Sequence, residues 1–532
     1  MKKNVFKKGL IFGLIVLFVG AGIIPSIVGV KKEKTTITTL YFPGYIQNLI
    51  DNASDGDTIF IPSGIYYENI VINKSISLIG EDKNNTIIDG SSNGTVIHIK
   101  FVDYVNVSGF TIKNSGNNLE RAGIWLQFSN RTSISGNIIS NNFFGIYLEQ
   151  SNNNTIINNS FFNDGLIVIE SYKNNIINNI VNGKPLVFLE EELDREIDED
   201  AGQIILINCN NITIQNQNLS NLEACIFLWN TDNCNITGNI ITSNNFIGLW
   251  VYKGSDNNQI SDNTISNSIY GIPIGLNSNN NTVTDNTVYN NECGIFPHGV
   301  SENNIFMYNS LSNNLVGFLI HSANSNIITS NNITSSGDIG IEIRLSNDNT
   351  ITDNHIFNNG RLGIFINCSN NNSINGNIIN SNNEEGIYLI NSSYNSIKGN
   401  NISENEDGIE LEDSNSNTIT ENNISLNNDY GIEFIESPRK CCFNNMITGN
   451  NIISNVYGIY FEKSCGNKIL INNFIDNQRH AFFMNCKNTW DANYWNRPRF
   501  LPKPIFGFMK IGSISIPWVN FDLHPASKPN EV

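Results

Sequence analysis

A glycine followed by an apolar residue returns at a nearly constant interval through the middle of this chain. The intervals are 23, 23, 23, 23, 23 and 22 residues, and the glycines are Gly271, Gly294, Gly317, Gly340, Gly363, Gly386 and Gly408. An asparagine in the frame I-x-x-N-x-I repeats beside them at Asn263, Asn354, Asn377 and Asn400, and at Asn286 with valine in place of both isoleucines. The apolar runs are short, rich in isoleucine and bounded by polar residues, so each repeat is predicted to be short strands joined by turns.

A repeat of this length restricts the fold to a stack of strands. A pair of helices needs about 33 residues or more, whereas one coil of a parallel β-helix fits into 23 residues. Successive coils lie ~4.8 Å apart, so equivalent residues form columns along the stack. We therefore predict an all-β fold, a single right-handed parallel β-helix with about 23 residues per coil.

Three columns follow from this register. The isoleucines at the first and third places after each glycine, such as Ile341 and Ile343, should point inward and fill the core. The asparagines should form an inward ladder of side-chain amides that satisfies a tight bend. The glycines should adopt a backbone conformation that a Cβ atom would forbid.

The N-terminal 30 residues are predicted to be a signal peptide or an anchor. Four lysines precede a largely apolar run from Leu10 to Val30, which is the pattern of an export signal. The run is long enough to span a membrane, but its glycines and its proline favour a signal peptide that ends near Val30. Residues 31–42 are a charged, Thr-rich spacer. In either case the rest of the chain should lie outside the cytoplasm, secreted or at the cell surface.

The β-helix is predicted to cover residues 43–487 and to carry a cap at each end. The segment from Tyr45 to Ala53 places apolar residues at i, i+3 and i+4, so a short helix should cover the open end of the first coil. The segment 488–532 has no repeat and is rich in proline and aromatic residues. Such a composition is typical of an irregular cap that keeps the last coil dry.

An acidic insert at residues 182–208 interrupts the spacing of the repeat. Eight of the eleven residues from Glu190 to Asp200 are acidic, and carboxylates of this density can bind hard cations such as calcium. The spacing does not match a calcium-binding EF-hand loop, so the alternative is a solvated acidic loop.

Two stretches of the chain resemble known β-helix proteins. The residues from Asp55 to Gly90, DGDTIFIPSGIYYENIVINKSISLIGEDKNNTIIDG, resemble the opening coils of the pectate-lyase-like superfamily. The motifs G-K-P-L and A-G-Q-I-I-L-I-N-C, which lie between residues 182 and 214, resemble the NosD-type β-helix family. Together with the repeat, the resemblance extends from about residue 55 to 487. It implies a β-helix fold and a link to copper delivery.

Charge and cysteine content exclude some classes of protein. The net charge of −18 argues against nucleic acid, because a backbone binder needs clustered Lys and Arg. Nine cysteines are few and odd in number for 532 residues, so disulfides are not the framework of the fold. One disulfide is geometrically possible, since Cys465 and Cys486 take nearly equivalent places one coil apart.

A column of aromatic residues is the main candidate for a binding site. The second and fourth residues after each glycine should face solvent. Sugar rings pack on aromatic faces, and adjacent polar groups bind the sugar hydroxyls. We therefore predict that one patch of these outward residues, which spans six coils or about 24 Å, binds an extended carbohydrate. The patch comprises Trp229, Trp250, Tyr252, Phe296, His298, His321, Glu342 and Arg344. Alternatively, the aromatic side chains pair along the sheet and neighbouring loops cover them.

Two histidines and an arginine occupy one column in three successive coils, at His298, His321 and Arg344. Two imidazoles ~4.8 Å apart could share a metal, with Cys293 or Met307 nearby in sequence, or could bind an anion together with Arg344. Copper suits imidazole and sulfur ligands. The alternative is solvated surface histidine, because a specific metal site needs three or four converging ligands.

Outward glutamates are the only candidates for carboxylate catalysis. Glu342, Glu410, Glu412 and Glu433 are predicted on the same face, and Glu410 and Glu433 lie one coil apart. Such a pair is close enough for one carboxylate to raise the pKa of the other. The alternative is ordinary surface glutamates on an acidic protein.

Three classes of function therefore remain. The first is a non-catalytic protein that binds a polysaccharide or a cell-surface glycan, and the second is a polysaccharide lyase, hydrolase or epimerase. The third, a periplasmic-type copper-handling protein, is implied by the NosD resemblance. The sequence requires no cofactor, although copper and calcium are candidates. Membrane contact is expected only through the N-terminal segment, if that segment is retained.

Overall fold

Sixty short strands and one short helix wind into about 19 coils in the computed structural model. The parallel β-helix predicted from the 23-residue period is thereby confirmed. The described residues from Gly44 onward belong to one compact unit. The structure describes residues 44–117, 121–244, 246–435, 442–511 and 514–531.

Each coil contributes one strand to each of three parallel sheets. Sheet 1 carries the repeat glycines, and its strands are Ile70–Ile72, Ile97–Lys100, Ala122–Gln127, Phe144–Glu149, Leu166–Ile169, Lys184–Glu190, Gln203–Ile207, Ala224–Trp229, Ile247–Tyr252, Tyr270–Gly275, Cys293–Pro297, Val316–His321, Ile339–Arg344, Ile364–Asn367, Ile387–Ile390, Ile409–Glu412, Tyr430–Ile435, Tyr457–Glu462, Arg479–Met484 and Lys503–Ile511. Sheet 2 follows it along each coil, and its strands are Thr58–Ile61, Ser77–Gly80, Asn106–Ser108, Ser133–Ser135, Thr155–Ile157, Asn175–Ile177, Leu193–Ile197, Asn210–Gln215, Asn235–Thr237, Gln259–Ser261, Thr282–Thr284, Ile305–Met307, Ile327–Thr329, Thr350–Thr352, Ser373–Asn375, Ser396–Lys398, Thr418–Thr420, Met446–Thr448, Lys468–Leu470, Thr489–Asp491 and Ile514–Asp522. Sheet 3 completes the coil, and its strands are Gly64–Tyr67, Thr86–Asp89, Thr111–Lys113, Ile138–Ser140, Ser160–Phe162, Ile180–Val181, Asn218–Ser220, Ile240–Thr242, Thr264–Ser266, Thr287–Tyr289, Ser310–Ser312, Asn332–Thr334, His355–Phe357, Ile378–Asn380, Asn401–Ser403, Asn423–Ser425, Asn451–Ile453, Asn473–Ile475 and Tyr494–Trp495.

Apolar columns fill the space between the three sheets. Ile341 and Ile343 are fully buried, as predicted, and their partners in the next coil are Ile364 and Ile366. Because each inward residue is stacked on an equivalent apolar residue, the core is continuous along the whole solenoid.

Stacked asparagines tie successive coils together at the corners. Each member of the predicted column from Asn239 to Asn472 donates its backbone N–H to the side-chain oxygen of the next member, at 2.9–3.0 Å. The predicted ladder is therefore present. A second ladder runs from Asn258 to Asn488 along another corner. These amides satisfy bends whose backbone groups would otherwise be buried without partners.

The repeat glycines are required for a different reason from the one predicted. None of the seven has a positive φ, so the expected special backbone conformation is wrong. A Cβ atom on Gly386 would instead lie 2.8 Å from the carbonyl oxygen of Gly408 and 2.7 Å from Cγ2 of Ile402. The glycine is needed because two coils approach each other too closely for any side chain.

A short helix, Tyr45–Asn52, covers the first coil, which confirms the predicted N-terminal cap. Its buried residues are Ile46 and Ile50. The carboxylate of Glu68 accepts hydrogen bonds at 3.1 Å from the backbone N–H groups of Ile46 and Gln47. A carboxylate at the N-terminal end of a helix satisfies free N–H groups and complements the helix dipole.

The acidic insert forms strands rather than the predicted loop. Lys184–Glu190 pairs with Gln203–Ile207, and Leu193–Ile197 pairs with Asn210–Gln215. In Leu193–Ile197 the first four residues are exposed and only Ile197 is buried, and the segment fits into the stack as a two-strand coil. The side chain of Gln203 bridges the break that this leaves in sheet 1. Its amide oxygen accepts a hydrogen bond from the backbone N–H of Leu166 at 2.9 Å, and its Nε2 donates to the carbonyls of Leu166 and Ala224 at 3.0 and 2.8 Å.

The C-terminal segment is more regular than predicted. The coils continue to Trp495, and the strands Lys503–Ile511 and Ile514–Asp522 then form an antiparallel hairpin. Asp522 accepts hydrogen bonds from Asn493 and from the indole of Trp495, at 3.0–3.1 Å. The hairpin therefore ends the asparagine ladder, where we expected irregular chain.

Two further predictions concern the thiols and the N-terminus. Cys465 and Cys486 are both thiols in the described structure, so the disulfide predicted as geometrically possible is not formed there. A hydrogen bond with the Cys465 side chain and burial raise the pKa of the Cys486 thiol. The predicted signal peptide or anchor (1–30) and the spacer (31–42) lie outside the described residues. Within the part of the chain that the structure describes, no helix is long and apolar enough to cross a membrane.

Candidate functional site

Three columns of side chains project from the outer face of sheet 1. The second and fourth residues after each glycine were predicted to do so, and the residue directly before the glycine does so too. In the N-terminal half, the second-place column and the column before the glycine form an apolar cluster that is separate from the core. Its buried members are Ala122, Trp125, Phe144, Ile167, Ala224 and Ile247. We call this surface of sheet 1 the outer face.

The tryptophans of the predicted carbohydrate patch are packed rather than open. Trp229 is only 2 % exposed, and its indole N–H donates to the hydroxyl of Tyr172 at 3.3 Å. The Lys253 ammonium lies 4.7 Å from the centre of its ring. Trp250 is half-buried and stacks on Phe227 with 4.7 Å between ring centres. Trp229 is thus unavailable to a ligand, because neighbouring side chains cover it.

Replacing Trp250 with alanine should therefore destabilise the fold. Loss of the stacked ring should lower the free energy of unfolding by about 2 kcal/mol, less than for a fully buried tryptophan. Urea unfolding monitored by circular dichroism measures the change. As the matched control, Tyr394→Ala at an exposed corner should change it by less than about 0.5 kcal/mol. Equal stability of the two variants would contradict the packed arrangement.

The histidine pair lies in the middle of the outer face. His298 and His321 are bridged as backbone neighbours in adjacent coils. The His298 ring stacks on Phe296 with 4.5 Å between centres and lies over Gly275, whose lack of a side chain makes room for it. Burial lowers the pKa of His298 to about 4, and His321 adds to the effect. Burial and then Arg344 lower the pKa of His321. The imidazole of His298 is therefore uncharged at neutral pH.

Glu342 and Arg344 form an ion pair at the next coil. Glu342 is only 4 % exposed and Arg344 is exposed. Burial raises the pKa of Glu342, and Arg344 opposes that shift. Glu342 is thus not the surface glutamate expected as one alternative, since its carboxylate is enclosed and neutralised by a neighbour.

Four carboxyl groups gather further along the outer face, in three successive coils. Oxygen atoms of Glu385, Asp407 and Glu410 all lie within 4.8 Å of one another. Glu433 is the partner of Glu410 in the next coil. Together with Tyr388, Tyr430 and Tyr460, these residues form what we call the acid–tyrosine site.

Burial and mutual repulsion keep protons on this site. Burial is the largest cause that raises the pKa of Asp407 to about 7 and that of Glu433 to about 8. Burial also raises the pKa of Glu410, with further contributions from Glu385 and Glu433 and from a hydrogen bond to Glu385. A hydrogen bond between two carboxyl groups requires a proton on one of them. Asp407, Glu410 and Glu433 therefore keep their protons to a higher pH than ordinary carboxyl groups do.

Half-buried tyrosines line the acid–tyrosine site. The Tyr388 hydroxyl donates to the carboxylate of Glu412, and the backbone N–H of Tyr430 donates to Asp407 at 2.8 Å. Tyr430 and Tyr460 lie with 5.1 Å between ring centres. Burial and nearby carboxylates raise the pKa of all three phenols, so they remain protonated donors.

Sequence reasoning identified Glu410 and Glu433 but missed Glu385 and Asp407. Both missed residues directly precede a repeat glycine, a column that we did not assign to the outer face. A signal was nevertheless present, because earlier members of that column are uncharged, at Cys293, Val316, Ile339 and Leu362, before carboxylates replace them. A column whose residues switch from apolar to acidic is therefore a pattern that predicts such a site.

Comparison with known families identifies the chain. The model of the NosD family, described as periplasmic copper-binding protein, matches residues 50–271, 191–338, 251–381 and 339–503. The chain belongs to the NosD family. It is accordingly a β-helix protein that lies outside the cytoplasm. None of the curated proteins matches this sequence.

Several solved structures match this NosD-family protein at low identity and with low TM-scores. The periplasmic alginate epimerase AlgG is 14 % identical, with 66 % of this chain and 84 % of that chain covered and a TM-score of 0.32. The A-module of a mannuronan C-5 epimerase from Azotobacter vinelandii is 14 % identical, with 82 % and 92 % covered and a TM-score of 0.25. The Dettilon tailspike protein is 15 % identical, with 82 % and 68 % covered and a TM-score of 0.33.

The described residues fit a hard cation better than copper. Among them, one group of three or more His, Cys, Asp or Glu donors lies within 4.8 Å, namely Glu385, Asp407 and Glu410. Carboxylate oxygens suit calcium or magnesium, whereas copper favours imidazole and sulfur. His298 and His321 supply two imidazoles, and no third donor joins them within that distance in the described chain. These two residues do not complete a copper site by themselves.

Proposed function

We propose that this protein binds a neutral polysaccharide along the acid–tyrosine site without cleaving it. The observation that carries the proposal is the combination of half-buried tyrosine rings with protonated carboxyl groups on one face of four successive coils. Four coils span about 14 Å, which accommodates roughly three sugar rings in an extended chain.

The chemistry of the side chains supports a carbohydrate ligand. Tyrosine rings offer apolar faces for sugar C–H groups, and their hydroxyls remain donors. A protonated carboxyl group both donates and accepts, so the pair Glu385 and Glu410 can bond to sugar hydroxyls in either direction. The half-buried Phe296, His298 and His321 lie on the same sheet towards the N-terminus, and we include them as a second part of the proposed face, with Tyr252, Trp250 and Arg344 along its margin.

Charge favours a neutral glycan over an acidic one. The chain has a net charge of −18, and the acid–tyrosine site becomes negative as its carboxyl groups ionise. A polyuronate would therefore meet repulsion that increases with pH. A glycan with hydroxyl groups alone meets no such repulsion.

Calorimetric titration with neutral and uronate oligosaccharides tests this proposal. Tyr430→Ala should weaken the binding of a neutral oligosaccharide by about 5- to 30-fold, which corresponds to about 1 to 2 kcal/mol for one stacking platform. Tyr394→Ala, at an exposed corner away from the outer face, is the matched control and should leave affinity unchanged. Tighter binding of uronates than of neutral glycans would refute the proposed ligand class.

Product analysis in the same mixtures decides between binding and catalysis. New reducing ends would indicate a hydrolase, and unsaturated ends would indicate a lyase. Either result would replace binding with catalysis and would make Glu410 and Glu433 the first residues to substitute. Failure of every glycan to bind would overturn both functions.

A further inference from the structure

The C-terminal hairpin carries apolar side chains on the surface that faces away from the solenoid. Cross-strand partners share a face, and the pairs Phe506 with Val519 and Phe508 with Pro517 therefore lie side by side. Phe506 is 62 % exposed. The terminal unit of a solenoid normally has a polar outer face, which keeps it soluble. Capping therefore does not explain these residues.

Capping is performed by the opposite face of the hairpin. Ile505, Asn520 and Asp522 are buried there against the last coil. Gly507 lies on Phe483, so closely that a Cβ would be 2.3 Å from the Phe483 carbonyl oxygen. Towards the turn, the same face is no longer covered, and it exposes Ile514, Ile516 and Trp518. Towards its turn the hairpin thus exposes apolar side chains on both faces, and the outer face also carries Lys510 beside Ser515.

Positive charge surrounds this apolar surface. No acidic residue occurs between Ala492 and Phe521, although the whole chain has a net charge of −18. The same stretch contains four basic residues, Arg497, Arg499, Lys503 and Lys510. In the described structure none of them forms an ion pair with a carboxylate, and the Nε atom of Arg499 has no hydrogen-bond partner. The cations lie near one another, since Arg499 and Arg497 both contribute to a lowered pKa of Lys503.

We propose that the C-terminal hairpin docks on the surface of a lipid bilayer that contains anionic headgroups. The exposed aromatic and aliphatic side chains would enter the interfacial region, and the unpaired arginines and lysines would contact lipid phosphates. Apolar insertion and a basic patch together provide the two signals that stable peripheral binding requires. This inference is independent of the proposed glycan site and concerns residues mainly beyond the family match, which ends at residue 503.

Charge complementarity favours a bilayer over a second copy of this chain. Symmetric pairing of two hairpins would bring eight unpaired cations together, and like charges oppose such contact. An anionic bilayer neutralises the same cations. Trp518 and the three phenylalanines of the hairpin are also of the amphipathic and aromatic types that concentrate at membrane interfaces.

Tryptophan fluorescence offers a direct test on the full chain. Of the six tryptophans, Trp518 is 49 % exposed, Trp250 is half-buried, and the other four are buried. The vesicles contain about one third anionic phosphatidylglycerol, and the rest is phosphatidylcholine with brominated acyl chains. These vesicles should quench the fluorescence emission of Trp518. Trp518→Phe should abolish the quenching. Because the signal comes from the hairpin, membrane binding by the N-terminal apolar run does not produce it.

Variants of the outer hairpin surface separate the two contributions. Phe506→Ser with Phe508→Ser should reduce quenching of Trp518 by roughly tenfold at a fixed lipid concentration. Arg497→Gln with Lys510→Gln should reduce the quenching of Trp518 by a similar factor at low salt. Raising the salt concentration should then lower the quenching of this variant only a little, because salt has fewer protein–lipid charge contacts left to screen. The matched controls are Phe60→Ser with Phe101→Ser, exposed phenylalanines of the first coils, and Lys398→Gln with Arg195→Gln. These controls should leave quenching unchanged.

Several results would overturn the proposal. The first is the absence of Trp518 quenching in the wild-type chain. That result needs no variant, so the proposal can be tested even if a variant fails to fold. Equal quenching by purely phosphatidylcholine vesicles would exclude the anionic headgroup. A dimer in sedimentation that the Phe506→Ser, Phe508→Ser variant dissociates, together with unquenched Trp518, would assign the surface to self-association.

Discussion

Asn377→Leu should lower the free energy of unfolding by about 3 to 5 kcal/mol. The Asn377 side chain accepts hydrogen bonds from the backbone and side chain of Asn354, both at 3.0 Å, and donates to the carbonyl of Ile351 at 2.9 Å. Leucine provides none of these bonds, so a buried N–H and a buried carbonyl lose their partners. Each such loss costs about 1 to 3 kcal/mol. Urea unfolding and hydrogen exchange at Asn354 measure the effect.

Asn375→Ala is the matched control, because Asn375 lies two residues away, exposed at the end of the strand that precedes Asn377. It should change stability by less than about 0.5 kcal/mol. Asn377→Asp is a second comparison, since aspartate keeps the acceptor. Asp164 shows this arrangement in the protein itself, where it accepts from Asn142 at 2.7 and 2.9 Å. If Asn377→Leu were as stable as Asn375→Ala, the ladder would not be a source of stability.

The stability of the protein should fall as the pH rises from about 4 to about 8. The folded pKa of Asp407 is about 7 and that of Glu433 is about 8, whereas the ordinary values are 3.8 and 4.5. Within this range the unfolded chain has released protons that the folded chain still holds. Every increase in pH therefore lowers the free energy of unfolding. The stabilisation is complete below the ordinary pKa values and is lost as the pH passes 7 to 8. Asp407 alone accounts for about 4 kcal/mol at 1.36 kcal/mol per unit.

Glu410→Gln should reduce this loss of stability, because glutamine removes the most enclosed carboxyl group of the site and can still donate a hydrogen bond to Glu385. Thermal unfolding from pH 4 to 8.5 should show a higher midpoint for the variant at pH 8. Glu421→Gln, an exposed glutamate 3.3 Å from Lys398, should follow the wild-type curve. A residual slope is expected, because burial also raises the pKa of Asp164 to about 7. Identical curves for all three proteins would exclude the acid–tyrosine site as the cause.

Calcium should raise the midpoint temperature of thermal unfolding of the wild-type protein at pH 8, and it should have little effect on that temperature at pH 5. Protons occupy the carboxyl groups at the lower pH, and a hard cation can replace them only where they ionise. Glu410→Gln should weaken the response to calcium, and chelation should reverse it. An equal response to calcium in the variant would place the cation elsewhere.

The repeat made much of the architecture predictable. A 23-residue period with isoleucine at fixed places defines inward columns, so the buried Ile341 and Ile343, the asparagine ladder and the N-terminal helix were all predictable. The C-terminal hairpin was not, because Gly507 and the buried Asp522 acquire their roles only through contact with the last coil. Residues without a repeat have no column to define their direction.

The candidate site was only partly predictable for a related reason. Counting places after each glycine found Glu410 and Glu433, yet treated Trp229 as open and left out Glu385 and Asp407. Whether Trp229 is covered depends on Tyr172, which lies 57 residues earlier in the chain. The direction of the residue before each glycine depends on how the chain turns into sheet 1.

The sequence by itself determined the fold class, the coil length and the identity of the core columns, since a strict period leaves one way to stack short strands. Tertiary structure decided which outward side chains are covered and which carboxyl groups meet. Those outcomes depend on the local backbone direction at each corner and on neighbours from other coils. Burial then supplies the shifts in pKa, because desolvation acts on a carboxyl group only after the chain has enclosed it.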